Sequence, residues 1–496
     1  MPKSFVHQAD PTAKEALTAW WKLFDDPILE RLIQKAAAQN YDIRTAGVRI
    51  LQARAALGIA EGFRYPQKQT LSGAYGVGYD KGHIDAAAFG LDTVWELDLW
   101  GRYARQIESA EASLMAAIEG YRAATVAVVA EVADRYLAYR TAQERLAYAR
   151  RNAAIQERVA KMTEVQFRSG NVSELDMQQA RTQLHNTKAA IPALQSAAAA
   201  AVNALAVLLG TTPERIESLL RNGTQPPAPP QQNGTLRLPE DPESLLDIDL
   251  IPMPRFDPAA VLDARLLLQR PDIRAAEHLA HAAAAEIGAA EALLYPSFTL
   301  LGSIGYQATD RNPIFRSLTG WGSLSDNIVI SAGPGLSWNI LQYGRLKNQV
   351  RLKDALLQER LIAYTKALIT AAAEVDSALK AYRFNLRQLQ ERKKALEATV
   401  RAFNISALQY HEGMVSYQRL LSTVEKLTYT QDIYAQTKGA AARQLVYLFK
   451  ALGGGWQIGR GRNPLHPADR AALQKRGVDW EGWLESNRTA MPEGER

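Results

Sequence analysis

The sequence predicts a mainly helical protein with a small transmembrane β part. Three observations lead there: an internal duplication, short stretches in each repeat where the hydrophobic period falls from 3.6 to 2, and one very long helical run per repeat. Each repeat reads as a helix, a β-hairpin, a long helix and a returning helix.

The duplication comes first. Tyr41-Asp42-Ile43-Arg44 through Tyr65-Pro66 returns as Pro271-Asp272-Ile273-Arg274 through Tyr295-Pro296 without a gap. Gly58 and Glu61 coincide with Gly288 and Glu291. Further on, Gly101-Arg102 recurs as Gly344-Arg345, Gly170-Asn171-Val172-Ser173 as Gly413-Met414-Val415-Ser416, and Leu209-Gly210 as Leu452-Gly453, at a slightly larger offset. The second repeat therefore carries an insertion between Tyr306 and Ile328.

Composition narrows the classes. The chain has 496 residues and a net charge of +6, with Lys and Arg interspersed among Asp and Glu, so no nucleic-acid footprint is indicated. The basic run Gly459-Arg460-Gly461-Arg462 reads as solvated. Cysteine is absent, which excludes disulfides, thiolate metal sites and cysteine nucleophiles. No apolar run reaches the ~18 residues of a spanning helix; Ala197 to Leu209 comes closest and is broken by Asn203. A membrane would be crossed by strands.

Residues 1–27 hold Trp20-Trp21 and Phe24-Asp25-Asp26-Pro27, and the first repeat covers 28–210. Pro27 suits a first helical turn, and Leu29, Leu32, Ile33 and Ala36 follow at helical spacing. This helix is expected to run to about Arg64 and to stop before Pro66. In the hairpin 68–100, Leu71, Tyr75, Val77 and Tyr79 face one way and Thr70, Ser72, Ala74, Gly76 and Gly78 the other. Phe89, Leu91, Trp95, Leu97 and Leu99 then alternate with Asp92, Glu96 and Asp98. The hairpin 297–341 repeats this with Phe298, Leu300, Ile304 and Tyr306, then Ile328, Ile330, Leu336, Trp338 and Ile340.

Strands of this length, apolar on one face and small or polar on the other, suit a transmembrane barrel. Trp95 and Trp338 sit near the ends of the second strands, with Trp100 and Tyr343 beyond, where a membrane-interface girdle belongs. A soluble sandwich strand alternates in the same way, but four strands make too small a sheet for one.

Past Tyr103, Ile107, Leu114, Tyr121 and Val128 step by seven, with alanines between them, as in close coiled-coil packing. From Gly101 to Gly170 such a helix spans ~100 Å. The chain turns at the tip 169–174, where Gly170 supplies a left-handed cap and Ser173 an N-cap. The returning helix reaches Leu209-Gly210. Two short helices stacked end to end then match one long one. The second repeat, 261–453, has helices near 261–294, 346–411 and 416–452 and a tip at 412–417. Between the repeats, 211–260 is a proline-rich connector. The tail, 454–496, reads as surface material or disorder.

Lipid cannot satisfy an open sheet edge, so the barrel must be shared between chains: two copies give eight strands, three give twelve. A membrane barrel continued by a long hollow helical extension is a conduit.

Three motifs carry a resemblance that covers about residues 18–456. They are Trp20-Trp21 with Phe24-Asp26-Pro27-Leu29, Gln269-Arg270-Pro271-Asp272-Ile273-Arg274-Ala275-Ala276-Glu277, and Lys450-Ala451-Leu452-Gly453-Gly454-Gly455-Trp456. The chain resembles the TolC/OprM-like outer membrane factors of RND-type efflux pumps. The resemblance implies a homotrimer with a twelve-stranded barrel in outer membrane lipid of a Gram-negative bacterium. It also implies a twelve-helix periplasmic tunnel and an equatorial domain from 211–260 and 457 onward. The implied partners are a periplasmic adaptor (membrane fusion) protein and an inner-membrane RND transporter, with no cofactor. The tunnel's closed lower end would open when the adaptor docks at the tips. The positions matching the docking tips are Gly170, Val172, Ser173, Gly413, Val415 and Ser416, which also read simply as tight interhelical turns.

Family members often carry Asp just after the second tip, and this chain departs from that with Tyr417-Gln418-Arg419. The periplasmic gate is then expected to use Arg419 against Glu174 or Asp176 of a neighbouring helix. Members of this branch are often lipidated at an N-terminal Cys. Here either the chain begins after a removed signal or the anchor was lost, and the absence of a signal after Met1 favours a trimmed chain. No catalytic motif is present: His411-Glu412 lacks the second His of a zinc protease. A type I protein-secretion duct is the main alternative function, and a soluble coiled-coil scaffold a distant one.

Overall fold

The structure, a computed structural model, describes residues 17–79, 83–221, 248–254, 256, 267–310, 328–476, 478–480 and 482–483. In chain order the elements are a 3-10 turn (Trp20–Phe24), α1 (Pro27–Gln39), α2 (Tyr41–Gly62), β1 (Lys68–Tyr79), β2 (His83–Leu97), α3 (Arg102–Arg168), α4 (Glu174–Leu208) and α5 (Pro213–Arg221). The second repeat follows with α6 (Pro271–Ala292), β3 (Ser297–Asp310), β4 (Ile328–Ser337), α7 (Arg345–His411) and α8 (Tyr417–Ala451). A 3-10 turn (Trp456–Gly459) and α9 (Pro467–Gln474) close the chain. The long helices α3 and α7 both have 67 residues, and the returning helices α4 and α8 both have 35.

The chain forms two compact units. One comprises Val48–Gly120 and Asp272–Ala367; the other Met1–Gly47, Tyr121–Pro271 and Leu368–Arg496.

The first unit holds a single antiparallel sheet in the order β1-β2-β3-β4, so the two hairpins pair through β2 and β3. Its register aligns the predicted faces across all four strands. Leu71, Leu91, Ile304 and Ile330 form one lateral row, and Thr70, Asp92, Ser303 and Ser331 the next, on the opposite face. The hydroxyls of Ser303 and Ser331 lie 2.8 Å apart. The apolar row is 66 %, 43 %, 51 % and 71 % exposed, so nothing among the described residues covers it. Both outer edges, β1 and β4, lack a partner strand among the described residues.

The second unit shows how the duplication is built into the packing. A single helix was expected over 28–64, but it breaks at Asn40, which is extended and buried. The Asn40 side chain accepts hydrogen bonds from Asp42 N and Ile43 N, capping α2, and donates to the carbonyl of Leu208 at the end of α4. At the equivalent place in the second repeat, Arg270 donates to the carbonyl of Ala451 at the end of α8 (2.5 Å). The start of one short helix thus caps the end of the other in both repeats, which is the end-to-end stacking expected. Gly210 and Gly453, each with positive φ, let these junctions close: a Cβ would approach Tyr41 at 3.1 Å and Arg270 at 3.0 Å.

Other expectations need correcting. The helix expected from 261 begins at Pro271, and 261–266 lie outside the described residues. The fourth strand stops at Ser337, opposite Ser297, because Pro296 precedes β3 and offers no N–H. Trp338 and Ile340 therefore follow the strand. The insertion in the second hairpin falls largely on 311–327, outside the described residues. Two helices, α3 and α4, are long and apolar enough by composition to cross a membrane, contrary to the expectation of none. Their alanines, Ala197–Ala201 above all, supply the apolarity without bulk.

The tail is not mere surface material as far as residue 476. Arg44 binds Asp469 through two hydrogen bonds of 2.8 and 2.5 Å, and Leu465 is buried. Gly47 meets Pro464 so closely that a Cβ would lie 2.1 Å from its carbonyl oxygen. Trp456 stacks beneath the guanidinium of Arg122 at 4.4 Å. In the connector, 222–247 lie outside the described residues. The following segment is held by Glu144, fully buried, which accepts from Leu250 N (2.9 Å) and Ile251 N (3.1 Å). Buried Lys438 reaches Glu144 at 3.5 Å and Asp249 at 3.0 Å.

Candidate functional site: the paired helical tips

Each tip is a helix end, a five-residue turn (169–173 and 412–416) and a helix start. In the first, α3 ends with Gly170 at φ 77°, Gly170 N donating to Phe167 O and Asn171 N to Gln166 O, both at 2.9 Å. In the second, Gly413 has φ 72°, with Gly413 N on Tyr410 O (3.1 Å) and Met414 N on Gln409 O (2.8 Å). Both are Schellman turns, which satisfy the last carbonyls of the outgoing helix and need a left-handed residue where glycine stands.

The helix starts differ. Ser173 accepts from Asp176 N at 3.2 Å, and Asp176 Oδ2 accepts from Ser173 N (3.1 Å) and Ser173 Oγ (2.7 Å). This is a closed capping box. Ser416 makes no side-chain cap bond, Arg419 N donating to its carbonyl instead (3.1 Å), and the Arg419 side chain, three places on, cannot supply the return bond of a box. A cation cannot accept from the helix N-terminus.

Beneath the tips α7 and α8 meet α3 and α4 in one apolar cluster. Leu396, Val400, Phe403, Ala407 and Tyr410 line α7 at alternating spacings of four and three, and Tyr417, Leu420, Val424 and Leu427 do the same on α8. Ala160, Ala180 and Leu184 face them, and Val415 packs on the edge. Tyr410 and Tyr417 meet edge to face, 6.1 Å apart, and the Tyr410 hydroxyl donates to Gln166. Burial pushes both phenols above their ordinary range, with the Asp176 charge adding to it. Above this cluster Leu175 and Met414 are exposed.

Of the predicted tip residues, the structure brings Gly170, Val172 and Ser173 into one turn and Gly413, Val415 and Ser416 into the other. Of the predicted gate residues, Asp176 is engaged in its own capping box, and within the chain neither it nor Glu174 pairs with Arg419. Removing that box is measurable: Ser173→Ala loosens the first turn of α4 by ~1 kcal/mol, read as faster amide exchange over 174–177.

The predicted girdle lies in the other unit. Trp100 donates its indole N–H to Pro296 O (2.7 Å) and stacks on Tyr295 at 4.8 Å. Trp338 donates to Leu294 O at 3.1 Å. Trp95, paired with Leu300, lies on the apolar face, and Tyr343, with φ 47°, is almost fully exposed.

The pattern of the outer membrane efflux protein family matches residues 32–211 and 263–454, which is both repeats. The chain belongs to the outer membrane efflux protein family. It is similar to the probable outer membrane lipoprotein SilC of Salmonella typhimurium, 29 % identical over 445 residues and 88 % of each chain. It is also similar to the pyoverdine export outer membrane protein OpmQ of Pseudomonas aeruginosa, 29 % identical over 89 % of this chain and 88 % of that one. Among solved structures, the outer-membrane channel OprN matches with a TM-score of 0.75 and 30 % identity, over 92 % of this chain and 98 % of that one. This outer membrane efflux protein is thus a channel with a periplasmic helical tunnel, of a family whose members work as trimers. The family is one of channels and not of enzymes.

Sequence reasoning missed the difference between the tips, although Ser173 with Asp176 and Ser416 with Arg419 display it in the sequence. It also missed Glu144 and Lys438, whose partner Asp249 is far away along the chain.

Proposed function

We propose that three copies of this chain close a twelve-stranded barrel and passively conduct small toxic compounds from an inner-membrane RND transporter and a periplasmic adaptor to the exterior. One observation carries the reading: a sheet with two edges unpaired among the described residues, an exposed apolar row on one face and a Thr, Asp and Ser row on the other. Such a sheet is satisfied when copies pair edge to edge with lipid outside and water within. Equivalent strand ends carry Trp95, Trp100, Trp338 and Tyr343 toward the membrane interface. The tips, with Leu175 and Met414 exposed beside Gly170 and Gly413, offer the adaptor its docking surface. Any pairing of Arg419 with Glu174 at the gate is made between copies.

Relatives named for pyoverdine and toluene export support a small-molecule cargo. The test is reconstitution of the extracted protein in a planar bilayer, with its mass in mild detergent measured alongside. A trimer that conducts supports the reading; a monomer that stays in solution without detergent overturns it.

A further inference from the structure

The two tips repeat one another except in how the returning helix begins. Asp176 supplies a carboxylate to the start of α4, whereas α8 starts with the Ser416 hydroxyl making no cap bond and with Arg419 in the carboxylate's place. The first N–H groups of a 35-residue helix are left without a side-chain acceptor. A cavity of about 620 Å³ lies here, walled by Ser406 and Gln409 of α7 and by Ser416, Gln418 and Arg419 of α8, among others. Ser406 is 4 % exposed, and its hydroxyl has no hydrogen-bond partner. No ion pair reaches Arg419 among the described residues.

No acid is among the lining residues, and although Ser422 and Thr423 already donate to the carbonyls of Arg419 and Leu420, Ser406, Ser416 and Arg419 keep donors to offer. A guanidinium, two unengaged serine hydroxyls and the positive end of a helix converge on one space. We propose that this cavity is an anion site that takes a carboxylate, held by Arg419 and Ser416 at the mouth and by Ser406 within. The anion does for α8 what Asp176 does for α4. The guanidinium fork suits the two oxygens of a carboxylate, which favours that group over a monatomic anion. The inference goes beyond the channel reading and needs no adaptor.

The carboxylate has two sources, a free small acid or a side chain of a neighbouring copy. Glu174, exposed on the first turn of α4 and outside its capping box, is the side chain suited to the second. Saturation-transfer NMR with succinate as the probe, on the full chain in its detergent-solubilised assembly, separates them. Succinate binding to the unaltered protein, weakened about tenfold in Arg419→Gln by loss of the charge-assisted bonds, supports the site with a free acid. Binding that appears only in Glu174→Gln, and is lost again when Arg419→Gln is added, supports it with the neighbouring copy as source. Arg419→Lys, which keeps the charge and loses the fork, guards against misfolding and retains part of the affinity. No binding by any of these proteins, or binding that Arg419→Gln leaves unchanged, overturns the proposal.

Discussion

Ile304→Arg abolishes the membrane-inserted trimer. Ile304 sits in the lateral row between Leu91 and Ile330, on the face that meets lipid, with β-strands on both sides. An arginine near the bilayer midplane of a barrel costs ~2–4 kcal/mol, and a trimer bears it three times. The heat-labile trimer band of a membrane extract is expected to vanish. Ser303→Arg, one residue away and on the opposite face, is expected to keep the trimer, because that face borders water. The measurement is unheated electrophoresis of outer membrane fractions. The reverse result, with Ser303→Arg lost and Ile304→Arg retained, would mean that the faces are assigned the wrong way round.

The second large effect is expected at Glu144. Truncation to alanine leaves the buried Lys438 ammonium short of its buried counter-charge and deprives Leu250 N and Ile251 N of their acceptor. Breaking one side of a buried pair costs ~3–5 kcal/mol. Limited proteolysis is the readout: Glu144→Ala is expected to be cut near 248–254 well before the unaltered protein. Lys438→Met added to it restores part of the resistance, since the stranded charge is then gone. Equal cleavage rates in Glu144→Ala and the parent chain would show that the connector is held by something else.

These two sites differ in how far the sequence reveals them. The faces of the strands follow from a period of two, and each residue declares its side by its own chemistry: Leu71, Leu91 and Ile304 against Thr70, Asp92 and Ser303. The register between hairpins confirmed those faces because one wrong step would have inverted them. The tips were equally local, since Gly170 and Ser173 make their turn with partners within five residues. Asn40 was not legible. A polar residue between two helical runs looks like any exposed asparagine, and its decisive partner, the carbonyl of Leu208, is 168 residues away. The packing of the tail was hidden for a similar reason, because Gly47 reads as a weak helix residue until Pro464 is seen against it. Long-range pairs such as Arg145 with Asp432 and Asn152 with Gln431 leave no periodic trace.

The unequal tips bear on stoichiometry. Three chains with two repeats each present six helical turns, and the shared Schellman geometry makes them look sixfold to any partner that reads backbone alone. Asp176 and Arg419 end that equivalence, since around the ring a self-capped turn alternates with an open one flanked by a cation. Six identical partner subunits arranged around such a ring would meet two environments and bind in two classes of three. A partner whose own recognition depends on charge would occupy only three places.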